Sequence, residues 1–319
     1  NCEGIGVEFN QIRDTVNITY VIEGGPSDKA GLLIGDQIIK VDSNNLTGKS
    51  INSFKIRNLI RGERGSPAKL EIMRSGKVLP ITVIRGNIPT PSISAAYMMD
   101  KTTAFIKLDR FTNTTYREFM EAAEGLKKQG MTQLIFDLRS NGGGYMDQAI
   151  QIADEFLGGD KLIVYTRGVN SPKTEYRCKR PGIFENGKLA VLVDELSASA
   201  SEILAGALQD WDRATIIGRR TFGKGLVQEP FLLSDGSAMR LTIARYYTPI
   251  GRSIQKPYTG GKKVYMDEVW ERYATGQLYY ADSNKVSNGK VYKTHGGRTV
   301  YGGGGIMRDI FVGLVTSNY

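Results

Sequence analysis

Leu189-Ala190-Val191-Leu192-Val193-Asp194-Glu195-Leu196-Ser197-Ala198-Ser199-Ala200-Ser201-Glu202 runs from an apolar strand into a helix, and its reading decides the fold. An unbroken apolar strand suits burial on both faces, as in a parallel sheet covered by helices. The helix, read from Ala200 to Gln209, carries Ile203, Leu204, Ala207 and Leu208. Ser199 and Glu202 form the S-x-x-E pattern of a capping box at its start. Ser199 therefore has two readings. It caps the helix, or its hydroxyl does chemistry beside the free amides and positive dipole of the helix N-terminus.

The same alternation continues on both sides. Phe105 to Leu108 reads as a strand and Thr114 to Gly130 as an amphipathic helix with a glycine stop. Leu134 to Leu138 is another apolar strand, followed by Gly142-Gly143-Gly144 and a helix from Met146 to Leu157. Ala214 to Gly218 is a further strand, leading to Thr221-Phe222-Gly223-Lys224-Gly225-Leu226-Val227-Gln228. Strands alternating with helices argue for α/β layering and a mainly parallel sheet. From Lys256 to Lys293 the chain is polar and tyrosine-rich, with no clear period.

Three features thus fall at strand ends, where open α/β sheets place their ligands. The glycine run exposes backbone amides that suit a phosphate, an oxyanion or simply a tight turn. It lacks the Lys-Ser/Thr ending of a P-loop and the spacing of a dinucleotide site. Lys224 sits between two glycines. In an extended segment it shares a face with Gln228, four residues on; by itself it reads as an exposed turn lysine.

Residues 4 to about 86 form a separate small unit. Val16 to Ile22 and Asp36 to Asp42 have strand composition, Asp28 to Leu32 is a helical turn, and Ile51, Phe54, Leu59 and Ile60 fit one helix face. Leu70 to Met73 and Val78 to Val83 close as a hairpin around Ser75-Gly76. The expected architecture is a small β-sandwich with helical caps. The blocks Gly4-Ile5-Gly6-Val7, Gly25-Pro26-Ser27-Asp28-Lys29-Ala30-Gly31-Leu32 and Gly35-Asp36-Gln37-Ile38-Ile39-Lys40-Val41-Asp42 resemble a PDZ domain. The resemblance implies that the amides of Ile5, Gly6 and Val7 bind a peptide's terminal carboxylate while the peptide adds as a β-strand. Phe54 and Leu59 are expected to line a pocket for its last side chain. Ile88-Pro89-Thr90-Pro91-Ser92 reads as a flexible joint, so the domains are placed at 1–86 and 87–319.

Composition narrows the function. The chain has 319 residues, 40% hydrophobic and 24% charged, as in ordinary globular proteins, and no apolar run long enough to span a membrane. It opens on Asn1 and reads as a mature form or an excised fragment. The net charge of +9 is partly local, with 10 Lys/Arg against 4 Asp/Glu between Arg252 and Arg308. No dense basic cluster with interleaved aromatics accompanies it, so the excess reads as solvated surface and not as a nucleic-acid site. Cys2 and Cys178 make neither a disulfide framework nor a zinc site and read as unrelated thiols. The single histidine, His295, lies in a loop-like stretch and reads as exposed. Any Ser-His-Asp mechanism would have to use it.

The strings Ser197-Ala198-Ser199-Ala200-Ser201-Glu202 and Phe222-Gly223-Lys224-Gly225, with the PDZ blocks and Thr299 to Ile306, resemble the C-terminal processing peptidases, or tail-specific proteases. The resemblance implies an α/β core of ClpP/crotonase-like type and a serine endopeptidase that needs no metal or cofactor. It assigns Ser199 as nucleophile and Lys224 as base, 25 residues later (224 − 199), with Gln228 orienting the lysine. The oxyanion falls to the amides of Ala200 and Gly143, with Gly144 as alternate. A lysine base has to be neutral, which takes removal from water. The resemblance also implies polypeptide substrates with free, apolar C-termini, control through the PDZ domain, and a location in the bacterial periplasm or cell envelope. The family's helical segment ahead of the PDZ domain has no counterpart here, the end looks clipped, and Arg308 stands where proline is expected. A PDZ scaffold with an inactive protease-like domain is the second reading. A phosphate-transferring or CoA-dependent enzyme is the third. Oligomeric state is not legible.

Overall fold

A computed structural model describes residues 3–12, 14–47, 52–88, 91–280 and 289–314. Cys2, Ile51 and Pro89, which figured in the sequence reading, lie outside the described residues. The chain divides into two compact units, Asn1–Thr90 and Pro91–Tyr319.

In the first unit, strands Val7–Ile12, Thr15–Val21, Gln37–Val41, Pro67–Arg74 and Lys77–Ile84 pair antiparallel in that order, with Asn44–Asn45 set against Gln37–Val41. The predicted hairpin turns at Ser75 and Gly76, both at positive φ. Helix Pro26–Lys29 is the expected short turn, and helix Ser53–Ile60 starts at Asn52, whose side chain accepts the Lys55 N–H at 2.9 Å. Val16, Ile18, Ile38, Ile56, Leu70, Ile72 and Val83 fill one core. Phe54 departs from expectation. It is 71% exposed, because the inner face of its helix is set by Ile56 and Ile60. Leu59 packs at the margin of the core.

In the second unit, strands Thr103–Leu108, Gln133–Asp137, Lys188–Val193 and Thr215–Gly218 run parallel as neighbours. Ile93–Met98 adds antiparallel at one edge and Ile310–Phe311 parallel at the other. Helices Thr115–Lys128, Met146–Phe156 and Ala200–Asp210 supply Phe119, Phe156 and Leu204 to the core. Their side of the sheet buries Ile106, Leu108, Leu134, Phe136, Val191 and Val193. The alternate residues Ile135, Ala190 and Leu192 are only partly buried, so the expected burial of both faces holds for one face among the described residues.

Two elements depart further from the sequence reading. Thr174–Arg177, Leu162–Arg167, Ala238–Tyr247 and Leu226–Leu232 form a separate antiparallel sheet in that order. Helix Gly261–Ala274 occupies the stretch read as lacking a period. The joint also ends firmly. Ser92 is fully buried, and its N–H donates to Glu118 Oε2 at 2.6 Å.

The first unit leans on one ion pair. Asp36, 1% exposed, receives Arg74 Nε and Nη2, each at 2.7 Å. Burial works to raise the Asp36 carboxyl, but the Arg74 fork and the Leu33 N–H outweigh it and hold it below its ordinary value. Arg74→Ala is expected to destabilise the first unit, by less than loss of a fully buried pair because Arg74 is partly exposed. The stabilisation is present above the unfolded carboxyl's value and fades as pH falls through the lower folded one. Amide hydrogen exchange in residues 3–88 checks this: the variant exchanges faster at neutral pH, and the difference shrinks on acidification.

Candidate active site

Parallel pairing places the loops after Gln133–Asp137, Lys188–Val193 and Thr215–Gly218 along one sheet edge, so the three sequence motifs meet there. The loops are stitched together. Asp194 accepts the N–H groups of Ser140 at 2.9 Å, Leu196 at 3.0 Å and Ser197 at 3.0 Å. Ala198 N–H donates to Asn141 O at 3.0 Å, and Phe222 N–H to Ser197 O at 3.0 Å.

The serines of Ser197-Ala198-Ser199-Ala200-Ser201 divide their tasks. Ser197 and Ser201 are fully buried. Ser197 Oγ donates to Leu138 O at 2.8 Å and Ser201 Oγ to Asn141 O at 2.9 Å, both fastening the glycine loop. Ser199 alone of the three lines the cleft. Its backbone lies at φ 57°, ψ −113°, a strained conformation for a residue with a side chain.

That conformation is held by a carboxylate. Glu202, fully buried, takes the Ser199 N–H at 2.9 Å and the Lys224 N–H at 2.9 Å on Oε2, and the Gly223 N–H at 2.7 Å and Thr221 hydroxyl at 2.6 Å on Oε1. Burial pushes its carboxyl up from the ordinary range, against the pull of those four donors. Tyr246, 1% exposed, donates its hydroxyl to Ser199 O at 3.1 Å and also to Lys224 O. Burial raises this phenol well above its ordinary value, so it stays a donor. Gln255 Oε1 accepts the Gly225 N–H at 2.8 Å. Sequence reasoning recognised Glu202 only as a cap and missed Tyr246 and Gln255. Nothing local marks the two missed residues, since both reach the site from the antiparallel sheet or the loop after it.

Ser199, Lys224, Gln228, Gly143 and Gly144 line one cleft of about 580 Å³, walled by Phe111, Met146, Ile203, Leu226 and Tyr246. The argument that joined Gln228 to Lys224 does not apply. Lys224 precedes the strand, which starts at Leu226, so the period-two rule does not reach it; the register shift beside Gln228 skips Ile243 on the partner strand. Gln228 reaches the cleft regardless, with its amide 3.4 Å from Thr242 Oγ1. Gly143 backs directly onto the Ser199 turn, where a Cβ would lie 2.5 Å from Ala198 O and 2.8 Å from Ala200 N. Its N–H, assigned above to the oxyanion, donates to Asn141 Oδ1 at 2.9 Å.

His295 lies elsewhere. Its ring stacks 3.6 Å from Trp211, and its Nδ1 meets Asp210 O at 3.0 Å, at the far end of the helix that Ser199 begins. That is about 15 Å along the helix. Cys178 is buried, and its thiol is pushed up to about 12, chiefly by burial. In the first unit, the Ile5 and Gly6 carbonyls accept from Ser27 at 2.8 Å and Ile22 at 3.1 Å. Gly6 has φ 80°, and Val7 begins the edge strand.

Residues 102–262 match peptidase family S41, and residues 4–84 match the PDZ domain. This chain belongs to peptidase family S41. It is 37% identical over 259 residues to the carboxy-terminal-processing protease of Bartonella bacilliformis, covering 79% of this chain and 58% of that protein. It is 34% identical over 285 residues to the carboxy-terminal processing protease CtpA of Bacillus subtilis, covering 89% and 59%. The chain thus spans under two thirds of these relatives. A solved structure of a Bacteroides fragilis protein assigned to the S41 proteases aligns with a TM-score of 0.53 at 18% identity, over 79% of this chain and 72% of that one.

Both oxygens of Glu202 are committed to donors, so Glu202→Gln presents an NH₂ group to two of them. Each donor left unsatisfied costs about 1–3 kcal/mol. The expected result is a lower melting temperature and a loss of whatever chemistry Ser199 and Lys224 perform. Thermal unfolding and reaction with a serine-directed fluorophosphonate are the measurements.

Proposed function

We propose that this S41 chain is a serine endopeptidase that cleaves polypeptides near their C-termini with a Ser199–Lys224 dyad. The observation that carries the reading is the single cleft shared by Ser199, Lys224 and Gln228. In this reading Ser199 Oγ attacks the scissile carbonyl, and Lys224 takes its proton and passes it to the leaving amine. Gln228 orients the lysine. The Ala200 N–H at the helix start faces the oxyanion. Gly143 joins it when its N–H turns from Asn141 Oδ1 to the substrate, or the neighbouring Gly144 N–H serves instead. The apolar walls at Met146, Ile203 and Leu226 suit an apolar side chain beside the cleaved bond. The reading takes the core as ClpP/crotonase-like, supported by the parallel strands and their helical crossovers. It also carries the location that the resemblance implies, the bacterial periplasm or cell envelope.

The PDZ domain, in the same reading, recognises the substrate's free C-terminus and regulates cleavage. Support comes from Val7–Ile12, the terminal strand of its sheet, and from the turn at Gly6 just before it. An extended peptide adds to such an edge while amides at the turn receive its carboxylate.

Ser199→Ala and Lys224→Ala are each expected to abolish the appearance of new C-termini from an unfolded polypeptide, with far-UV circular dichroism unchanged. Full activity in either variant sinks the dyad. An intact protein with no cleavage at all would favour the scaffold reading.

Tail recognition has its own test. A polypeptide with an apolar, free C-terminus is expected to be cleaved faster than the same chain amidated. Equal rates refute selection through the carboxylate.

A further inference from the structure

The match to family S41 stops at residue 262, and helix Gly261–Ala274 begins there. This helix reaches back to the loop that carries Lys224. Arg272, 2% exposed, donates through Nη1 to Arg220 O at 3.0 Å and Thr221 O at 2.9 Å, and through Nη2 to Phe222 O at 3.3 Å. These carbonyls belong to the three residues just ahead of Gly223-Lys224.

The guanidinium is itself fixed. Its Nε bonds Glu268 Oε1 at 2.7 Å, one turn earlier on the helix. The same carboxylate receives Arg220 Nη2 at 2.9 Å and Lys256 Nζ at 3.0 Å. The Lys256 ammonium sits 3.8 Å from the centre of the Phe222 ring and 4.5 Å from that of Tyr265. Lys256 N–H donates to Gly223 O at 3.0 Å. Burial works to raise the Glu268 carboxyl, but Arg272, Arg220 and Lys256 together pull it down to about 2. The anion is therefore permanent at working pH.

We propose that Arg272 is a positioning residue for Lys224. It fixes the carbonyls of Arg220 to Phe222 while Glu202 holds the N–H groups of Gly223 and Lys224, and so keeps the lysine turned towards Ser199. Glu202 accepts the loop's N–H groups, and Arg272 donates to its carbonyls. Neither residue can take over the other's part. A guanidinium can fork across three carbonyls and keep its ion pair, whereas an ammonium is a single point of charge. The inference rests on the Ser–Lys reading and adds a control element from beyond the family match.

Arg272→Lys tests it, because lysine keeps the charge beside Glu268 and removes the fork. With an unfolded polypeptide substrate, kcat is expected to fall about 100-fold, the scale of an error of about 1 Å at a catalytic group. KM should stay within about two-fold; the melting temperature should fall, because carbonyls that Arg272 satisfies lose their donors, so rates are compared well below the transition. Arg272→Ala should lose at least as much, and added ethylguanidine should restore part of its kcat. Lys224→Ala is measured alongside. If it is inactive while Arg272→Lys has full kcat, the positioning role is overturned and the dyad stands. A raised KM with unchanged kcat also overturns it, making Arg272 a substrate contact. If Lys224→Ala is fully active, the dyad falls and this inference falls with it.

Discussion

One buried carboxylate governs the site. Glu202 sits without solvent contact and receives donors from the serine turn and the lysine loop at once. Ser199 and Lys224 lie 25 residues apart (224 − 199) on separate strand ends, and no covalent constraint relates them. The two oxygens of Glu202 supply that relation. Among the described residues these four donors are what replaces water around the carboxylate, so its burial is tolerable only while they point at it. The site is thereby forced into one arrangement, and the strain at Ser199 is carried by bonds outside it.

The remaining groups complete this arrangement from different sides. Tyr246 spans the carbonyls of Ser199 and Lys224 from the antiparallel sheet. Asp194 and the outer serines of the motif bind the glycine loop to the serine turn. Arg272 ties down the carbonyls ahead of Gly223-Lys224. The parallel sheet provides the common edge, and the second sheet and the late helix provide the donors and acceptors that its loops lack.

Much of this was legible in order along the chain. The apolar runs at 134–138 and 189–193, the glycine run and the S-x-x-E pattern placed strands, loops and the helix Ala200–Asp210 close to where they stand. The PDZ blocks did the same for the first unit. The late helix escaped because its inner face is made of Tyr265, Glu268 and Arg272. A helix docked by ion pairs and aromatic rings leaves no apolar period to read. The same-face argument for Gln228 assumed a strand that in fact begins only after Lys224, and Phe54 sits on a helix face that turns outward.

The sequence by itself determined the alternation of strand and helix, the two units, and the serine, glycine and lysine motifs at the strand ends. These follow from local period and motif spacing, properties of neighbours in the chain. Only the tertiary structure decided that Ser197 and Ser201 are fasteners, that the Gly143 N–H is taken by Asn141, and that Glu202, Tyr246 and Arg272 hold the site. Those roles depend on hydrogen bonds between residues dozens of positions apart, whose donors and acceptors meet only after the sheets have formed.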